Sequence, residues 1–229
     1  MDKQAIQSLL VETFYQWGLP ENIRVDNGSP FGSPQGNTIP PIALWLIGLG
    51  ITMIWNRPGI AQENAKVERM QGTTARWTEF KQSNNLAHLQ VKLLDACMIQ
   101  REKYKVSRLR ARTRAESFPA LFQNTRVYQP QVFQAKYVYE FLEKVTLVRK
   151  INQRNGAFTF FDHFVYLGKA FTALQVAILR FNPREFRWDI FNQNNELIAT
   201  LSADHLTADR IQNLSVCQTT YLKCQILMS

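Results

Sequence analysis

Residues 39–55 read IPPIALWLIGLGITMIW and contain no charged side chain. A helix that spans a membrane needs about 20 continuous apolar residues. This stretch is shorter, because two prolines stand near its start and Gly48 and Gly50 interrupt it. The pattern therefore favours a buried helix over residues 42–49, a glycine turn, and a buried strand over residues 51–55. A membrane segment is the alternative interpretation, and we expect no membrane partner.

The segments on both sides of this stretch extend the same α/β pattern. Ahead of it, apolar residues at intervals of three and four predict a helix over residues 3–17, and residues 22–26 predict a short strand that ends on Asp26. Beyond it, the same intervals predict helices over residues 62–81 and 86–98. The spacing within the first of these places Val67, Met70, Thr74 and Trp77 on one face.

From about residue 145 the apolar period changes to two, which is typical of strands. Five short strands are predicted, over residues 145–151, 157–161, 175–181, 186–191 and 196–201. The pair Asn155-Gly156 predicts a type I′ hairpin turn. Short strands at this spacing favour a small closed barrel. We expect its aromatic side chains mostly in the core, with nucleic-acid contact as the alternative. The last 20 residues show no clear pattern.

The positive charge of the chain is concentrated in one segment. The net charge is +9, and residues 101–154 carry 13 basic against 4 acidic side chains, whereas the segments before and after them are balanced. The basic run (residues 101–114) reads REKYKVSRLRARTR, in which only Glu102 opposes seven cations: Arg101, Lys103, Lys105, Arg108, Arg110, Arg112 and Arg114. A charge block that is confined to one segment is typical of a surface that binds a polyanion, and DNA or RNA is the first candidate. A solvated helix face is the alternative.

The numbers and positions of the cysteines and histidines argue against a disulfide framework and a zinc site. The three cysteines, Cys97, Cys217 and Cys224, are too few for a disulfide framework and indicate a reducing compartment. The three histidines are scattered along the chain, which argues against a zinc site. The sequence has no GxxxxGKS loop, so nothing indicates ATP hydrolysis. We expect a cytoplasmic protein, associated with the nucleoid if it binds DNA.

Two carboxylates are candidates for a metal site. Asp26 ends a buried strand, and Glu68 lies one turn into a helix that follows the next strand. Such positions meet at one edge of an α/β sheet. Two close carboxylates repel each other unless a cation lies between them, and their oxygens suit Mg²⁺ or Mn²⁺. The alternative is that Asp26 makes an Asx-turn with Asn27 and Gly28 and that Glu68 is a solvated helix residue.

Three motifs carry a resemblance to a known family. Residues 19–31, LPENIRVDNGSPF, resemble the segment around the second catalytic aspartate of the integrase core shared by retroviral integrases and many bacterial insertion-sequence transposases. Residues 56–70, NRPGIAQENAKVERM, are similar to the stretch that holds the catalytic glutamate of that family. The basic run followed by FPALF at residues 118–122 resembles the end of the core domain in these transposases. By this resemblance Asp26 maps to the second catalytic aspartate and Glu68 to the glutamate.

The resemblance implies a fold class and a domain order. The fold implied is α/β, a partial RNase H-like integrase core, followed by a small all-β SH3-like barrel. The domains expected are a partial catalytic core over residues 1–115, a basic, proline-containing linker over 116–140, the barrel over 141–205 and a tail over 206–229. We expect the barrel to fold on a small core of its own and the first half to be marginally stable.

The resemblance also implies a reaction, phosphoryl transfer, and the absence of one of its catalytic residues from this chain. The family transfers phosphoryl groups with two Mg²⁺ ions, which activate a water or 3′-hydroxyl and stabilise the leaving oxygen. Its first catalytic aspartate lies on a strand ahead of the segment at which this chain opens. Asp2 cannot replace that aspartate, because only 23 residues, mostly helix and turn, separate it from Asp26. Whether the chain is an enzyme depends on this missing ligand.

Two functions are therefore expected as alternatives. The first is a transposase- or integrase-like protein of DNA transposition and DNA integration, truncated at its amino terminus and inactive alone, with DNA, an intact transposase or a second copy as partners. The second is a non-catalytic nucleic-acid-binding fragment that binds DNA or modulates an intact transposase.

Overall fold

The structure, a computed structural model, describes residues 2–32, 39–57, 59–218 and 222–227. Glycine and proline in the sequence predict a loop over residues 27–37 and a turn over residues 57–59. The loop lies within the described residues only as far as Gly32, and Pro58 of the turn lies outside them.

In the part of the chain that the structure describes, helices and strands alternate up to residue 55, and four helices are then followed by six strands, one helix and a last strand. The helices are α1 (Lys3–Trp17), α2 (Pro41–Gly48), α3 (Ala65–Thr78), α4 (Leu86–Met98), α5 (Arg114–Ser117), α6 (Ala135–Glu143) and α7 (Ala208–Gln212). The strands are β1 (Asn22–Val25), β2 (Thr52–Trp55), β3 (Thr146–Lys150), β4 (Ala157–Phe160), β5 (His163–Tyr166), β6 (Val176–Asn182), β7 (Arg187–Phe191), β8 (Leu197–Ser202) and β9 (Cys224–Ile226). A π-helical turn, Ile99–Lys103, continues α4, and a 3₁₀ turn, Ser107–Leu109, follows it.

The elements predicted for the first 55 residues are confirmed. The helix α1, the strand β1 before Asp26, and the pair α2 and β2 lie where the apolar pattern predicts them. Every residue of α2 is buried, as expected of a helix that is apolar on all sides. β1 and β2 pair in parallel, with Ile23 opposite Met53. The chain is thus of mixed α/β class.

Residue contacts divide the chain into two units, and each is described by itself. Unit 1 comprises Met1–Tyr15, Leu19–Trp55 and Tyr128–Ser229, and unit 2 comprises Gln16–Gly18 and Asn56–Val127. The boundaries differ from the predicted domain order, because the apolar segment around α2 shares a unit with the strands of the second half of the chain.

The core of unit 1 joins α2 to those strands. α2 packs against α6 and α7, and its residues belong to the same buried cluster as Leu147, Trp188 and Leu201. Gly48 lies so near Phe133 that a Cβ atom at this position would come within 2.1 Å of the ring. Glycine is therefore required for the approach. The expectation that the second half folds on a core of its own is wrong, because its buried cluster includes the residues of α2.

The strands of the second half form an antiparallel sheet in the order β3-β6-β7-β8-β9, and β4 and β5 pair separately as a hairpin. Five of these strands, β3, β4, β6, β7 and β8, lie within one or two residues of the predicted positions. The sequence patterns did not predict β5 and β9. β3 and β9 are the two ends of the observed order, so the described residues do not show a hydrogen-bonded closure into a barrel.

The tight turn of this region lies at another place than predicted. A type I′ turn requires a positive φ at both central residues, and at the predicted site only Gly156, at 70°, has one. Phe161 and Asp162, at 45° and 63°, both have a positive φ and join β4 to β5. Aspartate tolerates a positive φ, whereas phenylalanine is not a usual residue of this turn. Packing supports it, since the Phe161 and His205 ring centroids are 4.8 Å apart.

Segments predicted as linker and tail contribute to the core of unit 1. Within the predicted linker and just beyond it, α6 buries Val138 and Leu142. Within the predicted tail, α7 buries Ile211, and β9 pairs with β8. α7 and β9 are too short to show a period in the sequence. α6 does show a helical period, with Val138 and Leu142 four residues apart, and this period was missed in the sequence.

Unit 2 is helical, with α3 packed against α4, and buries very little. Its buried residues within the described part of the chain are Asn56, Thr78, Ala96, Gln100 and Thr113. The face of α3 that the spacing predicts is not covered: the side chains of Val67, Met70 and Trp77 are 50%, 53% and 39% exposed. The described residues of the unit supply no apolar layer over them.

Within the described ranges, no helix combines the length and the apolar character that a crossing of a membrane requires. The apolar helix α2 has only 8 residues.

Candidate nucleic-acid interface

One face of α3 carries cations and a tryptophan. Along this face, side chains recur at intervals of three and four, which place them on the same side of a helix. The members of the face are Lys66, Arg69, Met70, Thr73, Arg76 and Trp77. Ten residues separate Lys66 from Arg76, and ten residues of α-helix extend over ~15 Å. The three cations thus form a row and not a cluster.

This face is one wall of an open groove of about 800 Å³ in unit 2, termed the cationic groove. The opposite wall follows α4 along the chain and consists of Gln100, Tyr104, Val106, Arg108 and Arg114. Five of the lining residues are cations, and none of the described lining residues is a carboxylate. None of the five cations forms an ion pair within the described residues. Because like charges repel, such a groove favours an anion between its walls.

The buried Gln100 makes one hydrogen bond within its own wall and one that joins this wall to α3. The Arg114 Nη1 donates to the Gln100 carbonyl oxygen at 2.7 Å, and the Gln100 Nε2 donates to the Thr74 Oγ1 at 2.8 Å. The Thr74 hydroxyl in turn donates to the Met70 carbonyl oxygen on α3. Buried polar groups that are bonded in this way fix one arrangement of the elements they join.

Two partly exposed aromatic side chains lie in the groove. The Trp77 and Tyr104 ring centroids are 5.3 Å apart, and the ring planes meet at 71°. Trp77 is 39% and Tyr104 49% exposed. An edge-to-face pair leaves ring surface free for stacking. Partly exposed aromatic rings beside cations are the combination on which bases of single-stranded nucleic acid stack.

The structure distributes the basic run over several environments. Arg108 and Arg114 line the cationic groove. The Arg101 guanidinium pairs with the Glu102 carboxylate at 2.6 Å and lies 4.8 Å from the ring centroid of Trp17. The remaining cations of the run, which are exposed and lie outside the groove lining, are Lys103, Lys105, Arg110 and Arg112.

The basic run is not one helix face. It passes from the π-helical turn to a 3₁₀ turn, and the positive φ of Arg110 and Ala111 ends that turn. Val106 and Arg112 then form an isolated antiparallel bridge. The alternative of a solvated helix face is therefore wrong, because left-handed residues cannot continue a helix.

A capping box ends the basic run. The Thr113 side chain accepts from the Glu116 N–H, and the Glu116 carboxylate accepts from the Thr113 N–H at 2.7 Å. These hydrogen bonds, the backbone one first, hold the pKa of Glu116 below its ordinary value, and Lys105 and Arg112 add to this. Glu116 thus stays ionised at the start of α5, where the helix dipole favours an anion.

Asp26 and Glu68, the two predicted catalytic carboxylates, belong to different units, and each is placed within its own. Asp26 follows β1 in unit 1 and is exposed, and its Oδ1 accepts from the Gly28 N–H at 3.3 Å. That contact is the Asx-turn of the alternative interpretation. Glu68 is exposed on α3 in unit 2 and is not among the residues that line the cationic groove.

Carboxylate oxygens are suitable ligands for Mg²⁺ or Mn²⁺, but Asp26 and Glu68 are only two of the ligands that such an ion needs. A magnesium ion takes oxygen ligands in octahedral geometry, and a two-metal centre needs carboxylates that bridge both ions. The described residues contain no group of three or more His, Cys, Asp or Glu side chains that could hold an ion. Asp26 and Glu68 are the carboxylates that the resemblance assigns to the metal ions, and a Mg²⁺ or Mn²⁺ cofactor stays a prediction.

Sequence patterns missed the α3 wall of the groove. Lys66, Arg69 and Arg76 are spaced too widely to stand out as a charge block, and each lies near apolar residues that dominate the pattern. The available signal was the helical interval itself, since these cations share the period of Met70 and Trp77.

No family model matches the chain.

Proposed function

We propose that this protein binds nucleic acid through the cationic groove and is a relative of the integrase-core transposases. One observation carries the proposal: five cations and a partly exposed aromatic pair line one groove in which the described residues place no carboxylate. Cations on the two walls neutralise phosphates, and the displaced counterions drive binding. Trp77 and Tyr104 add surfaces for stacking.

The resemblance to the integrase core supports DNA as the nucleic acid. Under this proposal, residues 1–115 descend from an RNase H-like core and the strands after residue 145 from an SH3-like barrel. Asp26 and Glu68 then correspond to the second aspartate and the glutamate of that core, and each would hold Mg²⁺ or Mn²⁺ weakly. DNA transposition and integration are the processes in which such a protein takes part.

A second candidate function is modulation of an intact transposase, and the surface of α4 favours it. Leu86, Val91 and Leu94 are 84%, 63% and 61% exposed. Large apolar side chains that stay exposed close together are typical of protein interaction sites. An intact transposase or a second copy of this chain is the partner proposed for this function.

Removal of two groove cations should lower both the affinity for DNA and its dependence on salt. Five phosphate contacts give a slope of log K against log salt of about −4.5 for duplex DNA. The change Arg69→Ala with Arg76→Ala should reduce the magnitude of this slope by about 2 and the affinity about tenfold to a hundredfold near physiological salt. Fluorescence anisotropy with a labelled 20-base-pair duplex, repeated over a salt series, measures both quantities.

The matched control removes two charges from the basic run outside the groove. Lys103→Ala with Lys105→Ala leaves the chain with the same net charge as the groove variant, and we expect a slope change below about 0.5. Equal effects of the two double variants would contradict the groove, since they would show that affinity follows net charge alone.

The 229-residue chain should not cut or join DNA in the presence of Mg²⁺ or Mn²⁺. By the resemblance, the first aspartate of the family bridges both metal ions, and within these 229 residues the only aspartate ahead of Asp26 is Asp2. A strand-transfer assay with a labelled duplex and a plasmid target measures the activity of these residues. Turnover that is abolished by Asp26→Asn or Glu68→Gln would contradict the prediction, since it would show that these residues form an active centre.

A further inference from the structure

Unit 1 contains a cavity of about 620 Å³ to which neither the resemblance nor the cationic groove assigns a role. A volume of this size is typical of small-molecule sites. Its walls come from the first turn of α1, the loop after β1, the chain before α2, and the strands β3 and β4. Leu147 and Arg149 share one face of β3, because residues two apart on a strand point to the same side.

The Arg149 guanidinium lies at this cavity with only neutral partners. Its Nε donates to the Thr159 carbonyl oxygen at 3.1 Å and its Nη1 to the Val148 carbonyl oxygen at 3.0 Å. Its central carbon lies 5.4 Å from the ring centroid of Phe160. No carboxylate within the described residues pairs with it. A guanidinium carries more N–H donors than these two bonds use.

Burial lowers the pKa of Arg149, and no neighbouring carboxylate offsets that effect. Arginine nevertheless keeps its charge in proteins. Partly buried charges without a counter-ion are costly, so they are usually paired. Two backbone carbonyls and an aromatic ring orient Arg149, and its remaining N–H groups can donate to an anion.

The charged residues that line the cavity, Arg149, Lys3 and Asp162, carry one net positive charge. Lys3 contributes a second cation. Asp162 is the one carboxylate among the described lining residues, and it accepts a hydrogen bond from the thiol of Cys217. Burial first, and then Asp162, raise the pKa of Cys217 to about 12, so the thiol stays protonated and keeps donating. The apolar part of the wall includes Ile39 and Phe161.

We propose that this cavity binds a phosphate-bearing ligand, with the phosphate between Arg149 and Lys3 and a planar ring against Phe161 and Ile39. The phosphate belongs either to a free nucleotide or to the end of a nucleic-acid strand, and both present the same group to Arg149. Bidentate pairing with phosphate is the interaction for which a fixed guanidinium is best suited.

Isothermal titration of the full chain with AMP, and with adenosine as the ligand that lacks the phosphate, tests this site. We expect saturable binding of AMP at least tenfold tighter than that of adenosine, with inorganic phosphate as a competitor. Arg149→Met, which keeps the length of the stem, should weaken AMP binding at least tenfold. Equal binding of AMP and adenosine, or no binding of AMP, would overturn the proposal.

Arg180→Met is the matched control. Arg180 lies on β6 of the same sheet, and its guanidinium carbon is 4.8 Å from the ring centroid of Phe191, but it does not line the cavity. We expect this variant to bind AMP within twofold of the unaltered chain. Equal losses in the two variants would contradict a site at Arg149.

A measurement on the unaltered chain keeps the test valid if Arg149→Met does not fold. AMP should slow the modification of Arg149 by phenylglyoxal, followed by mass spectrometry, and leave that of Arg180 unchanged. Failure to protect Arg149 would overturn the site. A 5′-phosphorylated oligonucleotide that displaces AMP better than its unphosphorylated form identifies the strand end as the source, whereas AMP binding without such displacement identifies a free nucleotide.

Discussion

Replacement of Trp188 by alanine should lower the free energy of unfolding by about 3–5 kcal/mol, the range measured for large aromatic residues in cores. Trp188 on β7 has no exposed surface. Its ring centroid lies 5.0 Å from that of Phe160 and 5.3 Å from that of Phe181. The truncation would remove contacts to both neighbours and leave a cavity in the middle of the sheet. Urea unfolding followed by circular dichroism measures the loss.

Trp188→Phe is the matched control for this prediction. The indole Nε1 of Trp188 is buried and has no hydrogen-bond partner among the described residues. A buried donor without a partner is itself destabilising by roughly 1–3 kcal/mol. Phenylalanine removes that donor and keeps most of the packing, so we expect a change below about 1.5 kcal/mol. A loss as large as that of the alanine variant would show that the indole makes a contribution that packing does not explain.

Acidification from pH 8 to pH 4 should destabilise the protein through His205 by about 3 kcal/mol. His205 is fully buried. Its burial first, with His163 and Arg210 adding and Asp204 opposing, lowers the pKa of His205 from 6.5 to about 3. As the pH falls below 6.5, the unfolded chain binds a proton at His205 that the folded chain does not bind. The stability present above pH 6.5 is therefore lost progressively toward pH 3.

The pH dependence of the difference between two proteins isolates this effect. His205→Leu removes the titrating group, so its free energy of unfolding should fall by about 3 kcal/mol less than that of the unaltered chain over this pH range. The contribution of the carboxylates cancels in the comparison. Parallel curves for the unaltered chain and His205→Leu would contradict the prediction.

The two parts of the cationic groove were not equally predictable. The composition of the basic run pointed to a polyanion, and Arg108 and Arg114 of that run do line the groove. The α3 wall was missed, because its cations lie more than 30 residues from those of the opposite wall. Their meeting depends on the buried bond between Gln100 and Thr74, and no local pattern encodes a bond between residues so far apart.

What the sequence determined by itself is the set of local elements. The period of the apolar residues and the positions of glycine and proline were sufficient for α1, α2, β1, β2 and five strands of the second half, because each of these conformations depends on neighbours within a few residues. The concentration of charge in the basic run is likewise a property of composition.

Only the tertiary structure decided how those elements combine. In the tertiary structure, α2 lies in the same core as the strands of the second half. The tight turn is formed by Phe161 and Asp162 and not by the predicted pair, and the apolar face of α3 is exposed. Each outcome depends on what is packed against the segment and not on its own residues. A helix such as α3 carries an apolar stripe whether or not another layer exists to cover it, and unit 2 buries too few side chains to supply that layer.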